Sequence, residues 1–179
     1  MARYGLLIDS RKCTGCHACS IACSTYNELE PEVTYNRLEF VESGTYPNVK
    51  MDIVPIQCMH CDDAPCVKVC STQATFKQDE DGIVAFNPTK CTGCKACMAA
   101  CPYDARALNE ARLAEKCRWC PEMLMQGKQP ACSSTCMNEV RLFGDLDDPD
   151  SEISKKMAQF TTTQLLPEAG TKPRIWYIK

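Results

Sequence analysis

The sixteen cysteines of this 179-residue chain fall into four groups of four, and their spacing is its strongest chemical signal. The first and third groups share the pattern Cys-x2-Cys-x2-Cys-x3-Cys, and both open with Cys-Thr-Gly-Cys. The second and fourth groups keep the outer spacings but widen the middle gap to four and eleven residues. A tight group followed by a looser one, repeated twice, indicates duplication of a two-group unit. In order, the groups are Cys13, Cys16, Cys19 and Cys23; Cys58, Cys61, Cys66 and Cys70; Cys91, Cys94, Cys97 and Cys101; and Cys117, Cys120, Cys132 and Cys136.

This spacing is typical of ligands to [4Fe–4S] clusters. A Cys-x2-Cys-x2-Cys loop can wind around three iron corners of one cube, and a fourth thiolate completes the site. In two-cluster ferredoxins of this spacing the fourth cysteine ligates the other cluster, so that two motifs form one pseudo-symmetric unit. We expect each fourth cysteine to start a helix and to point away from its own loop. Sixteen cysteines then predict four [4Fe–4S] clusters.

The pairing of the groups follows from the segment between the second and third. Twenty residues separate Cys70 from Cys91, and they contain a strand-like run at 82–86. A bacterial ferredoxin has a hairpin at this place between its paired motifs, so group two pairs with group three, and group one pairs with group four by exclusion. The predicted ligand sets are Cys58, Cys61, Cys66 with Cys101; Cys91, Cys94, Cys97 with Cys70; Cys13, Cys16, Cys19 with Cys136; and Cys117, Cys120, Cys132 with Cys23.

Two other uses of so many cysteines are weighed against clusters. A disulfide scaffold explains an even count but does not favour the x2-x2-x3 spacing twice. Structural zinc sites also use paired Cys-x2-Cys elements, but they rarely add a third cysteine two residues on and a fourth three further. Both alternatives are therefore disfavoured.

The rest of the composition narrows the function. A net charge of -3 provides no basic field for nucleic acid. No apolar stretch approaches the roughly 20 residues of a membrane span, and the apolar run at 4–8 is too short for a signal peptide. We expect a cytoplasmic chain, or a periplasmic one exported already folded with a twin-arginine-bearing partner. No catalytic constellation is present in the sequence, so we expect no catalytic residue and no enzyme activity of its own.

Short elements position the cysteines. Strands are predicted at 4–8, 53–56, 83–86, 140–143 and 174–178, with a turn at 79–82 before the third of them. Helices are expected after the third cysteine of each group. A further helix near 151–160 is predicted to have Asp148 as its N-cap and Pro149 at its first position.

The predicted fold class is α+β, built from two nested ferredoxin-like units related by a pseudo-two-fold axis. The outer unit comprises residues 1–50 and 105–147, with groups one and four. The inner unit comprises residues 51–104, with groups two and three. Residues 148–179 form a C-terminal helix and tail that wraps the body or binds a partner.

Three aromatic residues lie inside the cysteine groups. His17 and His60 could each donate a hydrogen bond to a cluster sulfide, although a surface or packing role is favoured for both. Trp119, between Cys117 and Cys120, could line an electron path, but shielding of a cluster from water is favoured.

The chain resembles the iron–sulfur (beta) subunit family of dimethyl-sulfoxide-reductase-type molybdenum and tungsten oxidoreductases, such as polysulfide, thiosulfate and arsenate reductases. The resemblance rests on the four groups, on Cys-Met-His-Cys-Asp-Asp-Ala-Pro-Cys at 58–66, and on Gly-Thr-Lys-Pro-Arg-Ile-Trp-Tyr-Ile at 170–178. The proline that commonly follows each fourth cysteine in that family is present here only at Pro102.

The resemblance implies a function. The subunit would relay single electrons through four [4Fe–4S] clusters between a large molybdenum or tungsten pterin catalytic subunit and a membrane quinone-handling subunit or soluble carrier. Two alternatives stay open: a free-standing polyferredoxin, and the wiring subunit of a tungsten aldehyde- or acyl-reducing complex or of a hydrogenase.

Overall fold

The structure is a computed structural model that describes residues 2–179. Ten strands and six α-helices lie in this range. The strands are β1 (Tyr4–Ile8), β2 (Asn36–Thr45), β3 (Asn48–Gln57), β4 (Thr75–Lys77), β5 (Val84–Phe86), β6 (Ala107–Leu108), β7 (Ala114–Glu115), β8 (Arg141–Asp145), β9 (Thr162–Thr163) and β10 (Ile175–Ile178). The helices are α1 (Ala18–Tyr26), α2 (Pro65–Lys68), α3 (Ala96–Ala99), α4 (Pro121–Leu124), α5 (Ala131–Ser134) and α6 (Glu152–Gln159).

A four-stranded sheet with the order β8-β1-β10-β9 joins the two ends of the chain. Strand β1 runs antiparallel to β8 and parallel to β10, so the last residues of the chain lie beside the first strand. Because side chains alternate across a strand, Leu6 and Ile8 enter the main core while Leu7 faces the other side. The segment 148–179 thus contributes two strands of this sheet.

Helix α6 covers the second face of the sheet, where Ile153 packs with Leu7 and Ile178. The predicted cap at Asp148 was wrong: the helix begins at Glu152, and the Ser151 hydroxyl accepts the Ser154 amide at 3.2 Å. Asp148 instead closes a preceding turn, with its carboxylate accepting the Asp150 amide at 2.9 Å. That turn uses Pro149, so the helix starts three residues later than the sequence suggested.

Three hairpins link the cysteine groups. The longest is β2–β3, paired from Asn36 with Gln57 out to Thr45 with Asn48, of which the sequence predicted only residues 53–56. The small hairpin β4–β5 separates groups two and three, as expected, and β6–β7 lies between groups three and four. The other predicted strands are present to within two residues at either end.

Each cysteine group carries a helix that begins one residue before its third cysteine, at Ala18, Pro65, Ala96 and Ala131. The expectation that the fourth cysteine starts a helix was wrong. Cys23 lies inside α1, whereas Cys70, Cys101 and Cys136 follow their helices by two residues. The amides of these three close the last turn onto carbonyl oxygens three residues earlier, at 3.1–3.2 Å.

No helix in the described range has the length and apolar character needed to cross a bilayer.

Candidate metal-cluster sites

The loops of groups one and three adopt the same backbone geometry. Gly15 and Gly93 have φ values of 70° and 68°, and His17 and Lys95 have φ values of 60° and 61°. Left-handed conformations at alternate positions turn a short loop back on itself, and glycine adopts them without steric cost. The two Cys-Thr-Gly-Cys sequences therefore coil in the same way.

The structure leaves all sixteen cysteines as free thiols. Eight of them are buried, and only Cys16 and Cys94 are exposed. A disulfide scaffold would require these thiols to be bonded in pairs. The structure contains no such pair among the sixteen, so it does not support the disulfide alternative.

Two sets of thiols line cavities. Cys13, Cys16 and Cys19 share a cavity of about 270 Å³ with Cys136. Cys91, Cys94 and Cys97 line a second cavity with Cys70. In each case three cysteines of a tight group meet the fourth cysteine of a loose group, more than twenty residues distant in the sequence.

The other two sets are evident from the neighbours of their buried thiols. Burial, followed by the nearby thiols of Cys132 and Cys120, raises the pKa of Cys23 to about 12. Burial likewise raises the pKa of Cys61 to about 12, and its neighbouring thiols are those of Cys58, Cys66 and Cys101. Burial, followed by the thiols of Cys23 and Cys132, raises the pKa of Cys117. The structure thus brings together the members of each set that the sequence predicted.

Thiols of different sets also act on one another. Besides burial, the Cys19 thiol of the first set raises the pKa of Cys132 in the fourth, and the Cys58 thiol of the second raises that of Cys117 in the fourth. Besides burial, the Cys66 thiol of the second set raises the pKa of Cys97 in the third. These effects link the first set to the fourth, the fourth to the second and the second to the third, and the two exposed cysteines, Cys16 and Cys94, belong to the first and third sets.

Hydrogen-bond donors point at the sulfurs. The amides of Gly93, Thr75 and Val140 donate to the Sγ atoms of Cys91, Cys70 and Cys136, each at 3.4 Å.

Seven buried side-chain N or O atoms lack a hydrogen-bond partner among the described residues. All but the Asn36 amide belong to residues that flank a cysteine, namely Ser20, Gln57, His60, Trp119 and Ser133. Buried polar atoms are normally satisfied, so donors grouped around thiols fit a cluster whose sulfides accept them.

The thiol environment also fits a strongly positive metal core. Burial raises the pKa values of Cys117, Cys120 and Cys132, which disfavours their thiolates in the protein alone. Iron coordination would supply the positive charge that holds these sulfurs deprotonated. The sixteen cysteines could therefore hold four [4Fe–4S] clusters.

The two histidines inside the cysteine groups, His60 and His17, lie in different environments. His60 is fully buried and its ring stacks on that of Trp119, with centroids 4.0 Å apart, whereas His17 is exposed beside Phe40. Burial lowers the pKa of His60 well below its usual value, so the ring is neutral at pH 7.

Three buried cations near the thiols, Arg106, Lys116 and Arg141, were not predicted from the sequence. Only Lys116 carried a local signal, its position next to Cys117.

Comparison with known proteins points the same way. Two family models, each described as a 4Fe-4S dicluster domain, match residues 49–146 and 12–74. The chain is 41% identical over 99% of its length to the putative iron-sulfur subunit of a dimethyl sulfoxide reductase from Halobacterium salinarum, covering 79% of that protein. It is 36% identical over 99% of its length to ArrB, the arsenate respiratory reductase iron-sulfur subunit of a Shewanella species, covering 96%. It is 41% identical over 98% of its length to a subunit of the tetrathionate reductase of Salmonella typhimurium, covering 72%.

Proposed function

The chain belongs to the 4Fe-4S dicluster family, among the iron–sulfur subunits of oxidoreductases. We propose that it relays electrons through four [4Fe–4S] clusters within a larger redox complex. The observation that carries the proposal is the grouping of sixteen thiols into four sets. Thiols of one set raise the pKa of thiols in the next, and from these links we infer a row in the order first, fourth, second, third, which is the arrangement that a chain of one-electron carriers needs.

Each cluster takes three ligands from one group and its fourth from the partner group. The proposed sets are Cys13, Cys16, Cys19 with Cys136; Cys117, Cys120, Cys132 with Cys23; Cys58, Cys61, Cys66 with Cys101; and Cys91, Cys94, Cys97 with Cys70. The exchange of fourth cysteines defines two nested ferredoxin-like units, an outer one at 1–50 and 105–147 and an inner one at 51–104. The hairpin β4–β5 within the inner unit supports this division.

When bound, such clusters supply one-electron transfer at potentials that range from roughly -700 to +450 mV in proteins. The chain's own residues set the conditions for it. Cysteines fix the spacing of the sets, amides such as those of Gly93 and Val140 donate to ligand sulfur, and Trp119 excludes water from the interior. Exposure of Cys16 and Cys94 makes the two end sets the places where electrons enter and leave.

We propose that catalysis resides in a separate large subunit containing a molybdenum or tungsten pterin cofactor. The relatives are named as subunits of dimethyl sulfoxide, arsenate and tetrathionate reductases, which supports a catalytic partner of this class. A membrane quinone-handling subunit or a soluble carrier would exchange electrons with the opposite end of the row. The segment 148–179, which packs on the body through β9 and β10, exposes the outer face of α6 to such partners.

Anaerobic purification of the native complex, followed by metal and sulfide analysis, tests the proposal. We expect about sixteen iron atoms per copy of this chain from four cubes, with molybdenum or tungsten and a large second polypeptide. Iron alone, with the chain isolated as a monomer, would support the free polyferredoxin instead. A complex containing hydrogenase metals, or a tungsten aldehyde- or acyl-reducing partner, would support the second alternative, an electron-transfer subunit of such a complex. About eight iron atoms per chain would contradict the four-cluster assignment.

A further inference from the structure

We infer that three buried cations, Arg141, Lys116 and Arg106, are built-in counter-charges, one at each of the three junctions between successive cysteine sets. The inference rests on the proposed four-cluster function and adds to it a means of setting the cluster potentials. All three are positioning residues in the sense that they act on the clusters through their charge, without replacing a ligand.

Arg141 lies at the junction between the first set and the fourth. Its guanidinium is beside the Cys19 thiol, interacts with Cys132, and lines the cavity of the first set. The side chain is only 4% exposed. One of its nitrogens donates to the Asn36 side-chain oxygen at 2.6 Å and the other to that of Gln57, so both of its partners are neutral amides.

Lys116 lies at the junction between the fourth set and the second. It precedes Cys117 directly, and its ammonium group also interacts with the thiols of Cys58 and Cys66. With 1% exposure, the side chain has no access to water. The ammonium donates to the carbonyl oxygens of Cys117, at 2.9 Å, and Val84.

Arg106 lies at the junction between the second set and the third. Its guanidinium is beside the Cys66 thiol and interacts with that of Cys97. It donates to the Ala114 carbonyl and the Thr75 hydroxyl, both at 3.1 Å. Thr75 in turn donates its amide to Cys70, which connects this cation to the third set as well.

The absence of carboxylate partners is what makes these cations informative. Four lysine or arginine side chains are buried in residues 2–179, and only Arg174 among them pairs with a carboxylate, that of Asp62. Burying a cation is strongly unfavourable unless an anion compensates it. Neutral carbonyls and amides cannot provide that compensation, but a thiolate-ligated cluster is an anion whose negative charge grows with each electron it receives.

The position of each cation predicts its effect. A positive charge stabilises the reduced, more negative state of a nearby cluster and so raises its reduction potential. A cation between two clusters acts on both of them. Two neighbouring clusters that are both reduced repel each other because both are more negative. Three such charges along the row would offset this repulsion and so favour the simultaneous reduction of neighbouring clusters.

Redox titration followed by EPR tests the inference on the anaerobically purified complex. Lys116→Met removes the charge with little change in volume and should lower the potentials of the second and fourth clusters while leaving the first and third unchanged. Arg106→Gln should lower those of the second and third. The charge-preserving variants Lys116→Arg and Arg106→Lys should keep the potentials close to those of the unaltered chain. Lys155→Met, at an exposed position on α6, should shift no potential.

Asn36→Asp provides a test that leaves the cation in place. This nearly isosteric change puts a carboxylate on the Arg141 nitrogen that Asn36 already accepts, so it cancels the charge while preserving the hydrogen bond. The first and fourth clusters should shift to lower potential with iron content unchanged. Unshifted potentials in Asn36→Asp and Lys116→Met, or equal shifts in the charge-preserving variants, would overturn the inference. The cluster count of the unaltered chain separates this outcome from failure of the proposed function, because four clusters with insensitive potentials reject only the inference.

Discussion

The rings of His60 and Trp119 stack with their centroids 4.0 Å apart and their planes inclined by 25°. His60 lies between Cys58 and Cys61, and Trp119 lies between Cys117 and Cys120, so the stack joins the loops of the second and fourth groups. Phe143 packs edge-on against Trp119, with ring centroids 5.2 Å apart. The loops of the two groups therefore meet at a buried aromatic contact.

Removal of this contact should expose the middle of the row. Trp119→Ala should lower the free energy of unfolding by about 3–5 kcal/mol, because truncating a buried aromatic side chain leaves a cavity. It should also speed the loss of iron to a chelator, as water reaches the second and fourth sets. Chemical denaturation and the decay of visible cluster absorption measure the two effects. Met125→Ala, at a position 80% exposed, is the control, and equal iron loss in the two variants would contradict a shielding role for Trp119.

Exchange of the fourth cysteines predicts a crossed pattern of damage. Cys101→Ser should produce the same EPR defect as Cys61→Ser, because we place Cys101 with the second group. Cys70→Ser should match Cys94→Ser in the third. Using Cys61→Ser and Cys94→Ser as references removes the need to assign each signal beforehand. If Cys101→Ser matched Cys94→Ser instead, each group would hold its own fourth ligand and the nested pairing would be wrong.

Asp62 ties three distant segments together through ion pairs with Arg3, Lys77 and Arg174, at 2.8–3.0 Å. Burial alone would raise its pKa, but hydrogen bonds from these cations lower it to about 2. The unfolded value is near 3.9, so the stabilisation is complete above about pH 5 and is lost as the pH falls towards 2.

We expect Asp62→Asn to cost about 2 kcal/mol at pH 7, from the loss of this pKa difference. The gap between variant and wild type should narrow below pH 4. Urea denaturation at several pH values measures both quantities, and the comparison at each pH cancels the acid lability common to the two proteins. Asp79→Asn, at an exposed carboxylate with no ion pair among the described residues, should have little effect. A pH-independent gap would show that the carboxylate charge is not the cause.

The start of α6 offers a direct comparison of two caps. Ser151→Ala should destabilise the protein by about 1 kcal/mol, because it leaves the Ser154 amide without its acceptor. Asp148→Ala should cost less, since its carboxylate serves only the preceding turn. Denaturation midpoints of the two variants decide the matter. A larger loss of stability in Asp148→Ala would show that Asp148 is the helix cap, as the sequence predicted.

The sequence predicted those parts of the fold that are determined by residues close together in the chain. The motif spacing predicted the ligand loops, because their shape is set by short-range geometry, whereas the sharing of fourth cysteines between clusters stays a prediction. Strand β1 was predicted with its true ends, since its apolar run is buried on both faces. Asp148 and Ser151 are both good cap residues three positions apart, and only the turn around Pro149 decides between them.

Other features depend on long-range packing, which the sequence does not encode locally. The outer half of hairpin β2–β3 is exposed, with Tyr46 and Val49 open to solvent, so it shows no buried face by which to recognise it. Arg106 and Arg141 look like ordinary surface arginines in the sequence. Their burial follows from the meeting of segments more than thirty residues apart, and no neighbouring residue signals it.

The most direct test of the account is an iron anomalous-scattering map of crystals of the anaerobically purified protein. We predict four cluster peaks in one row, ordered by the first, fourth, second and third cysteine groups, with Cys16 and Cys94 at opposite ends. Each peak should contact three cysteines of one group and the fourth of its partner group. Fewer than four peaks, or four peaks each ligated by the cysteines of a single group, would contradict the four-cluster relay proposed for this chain.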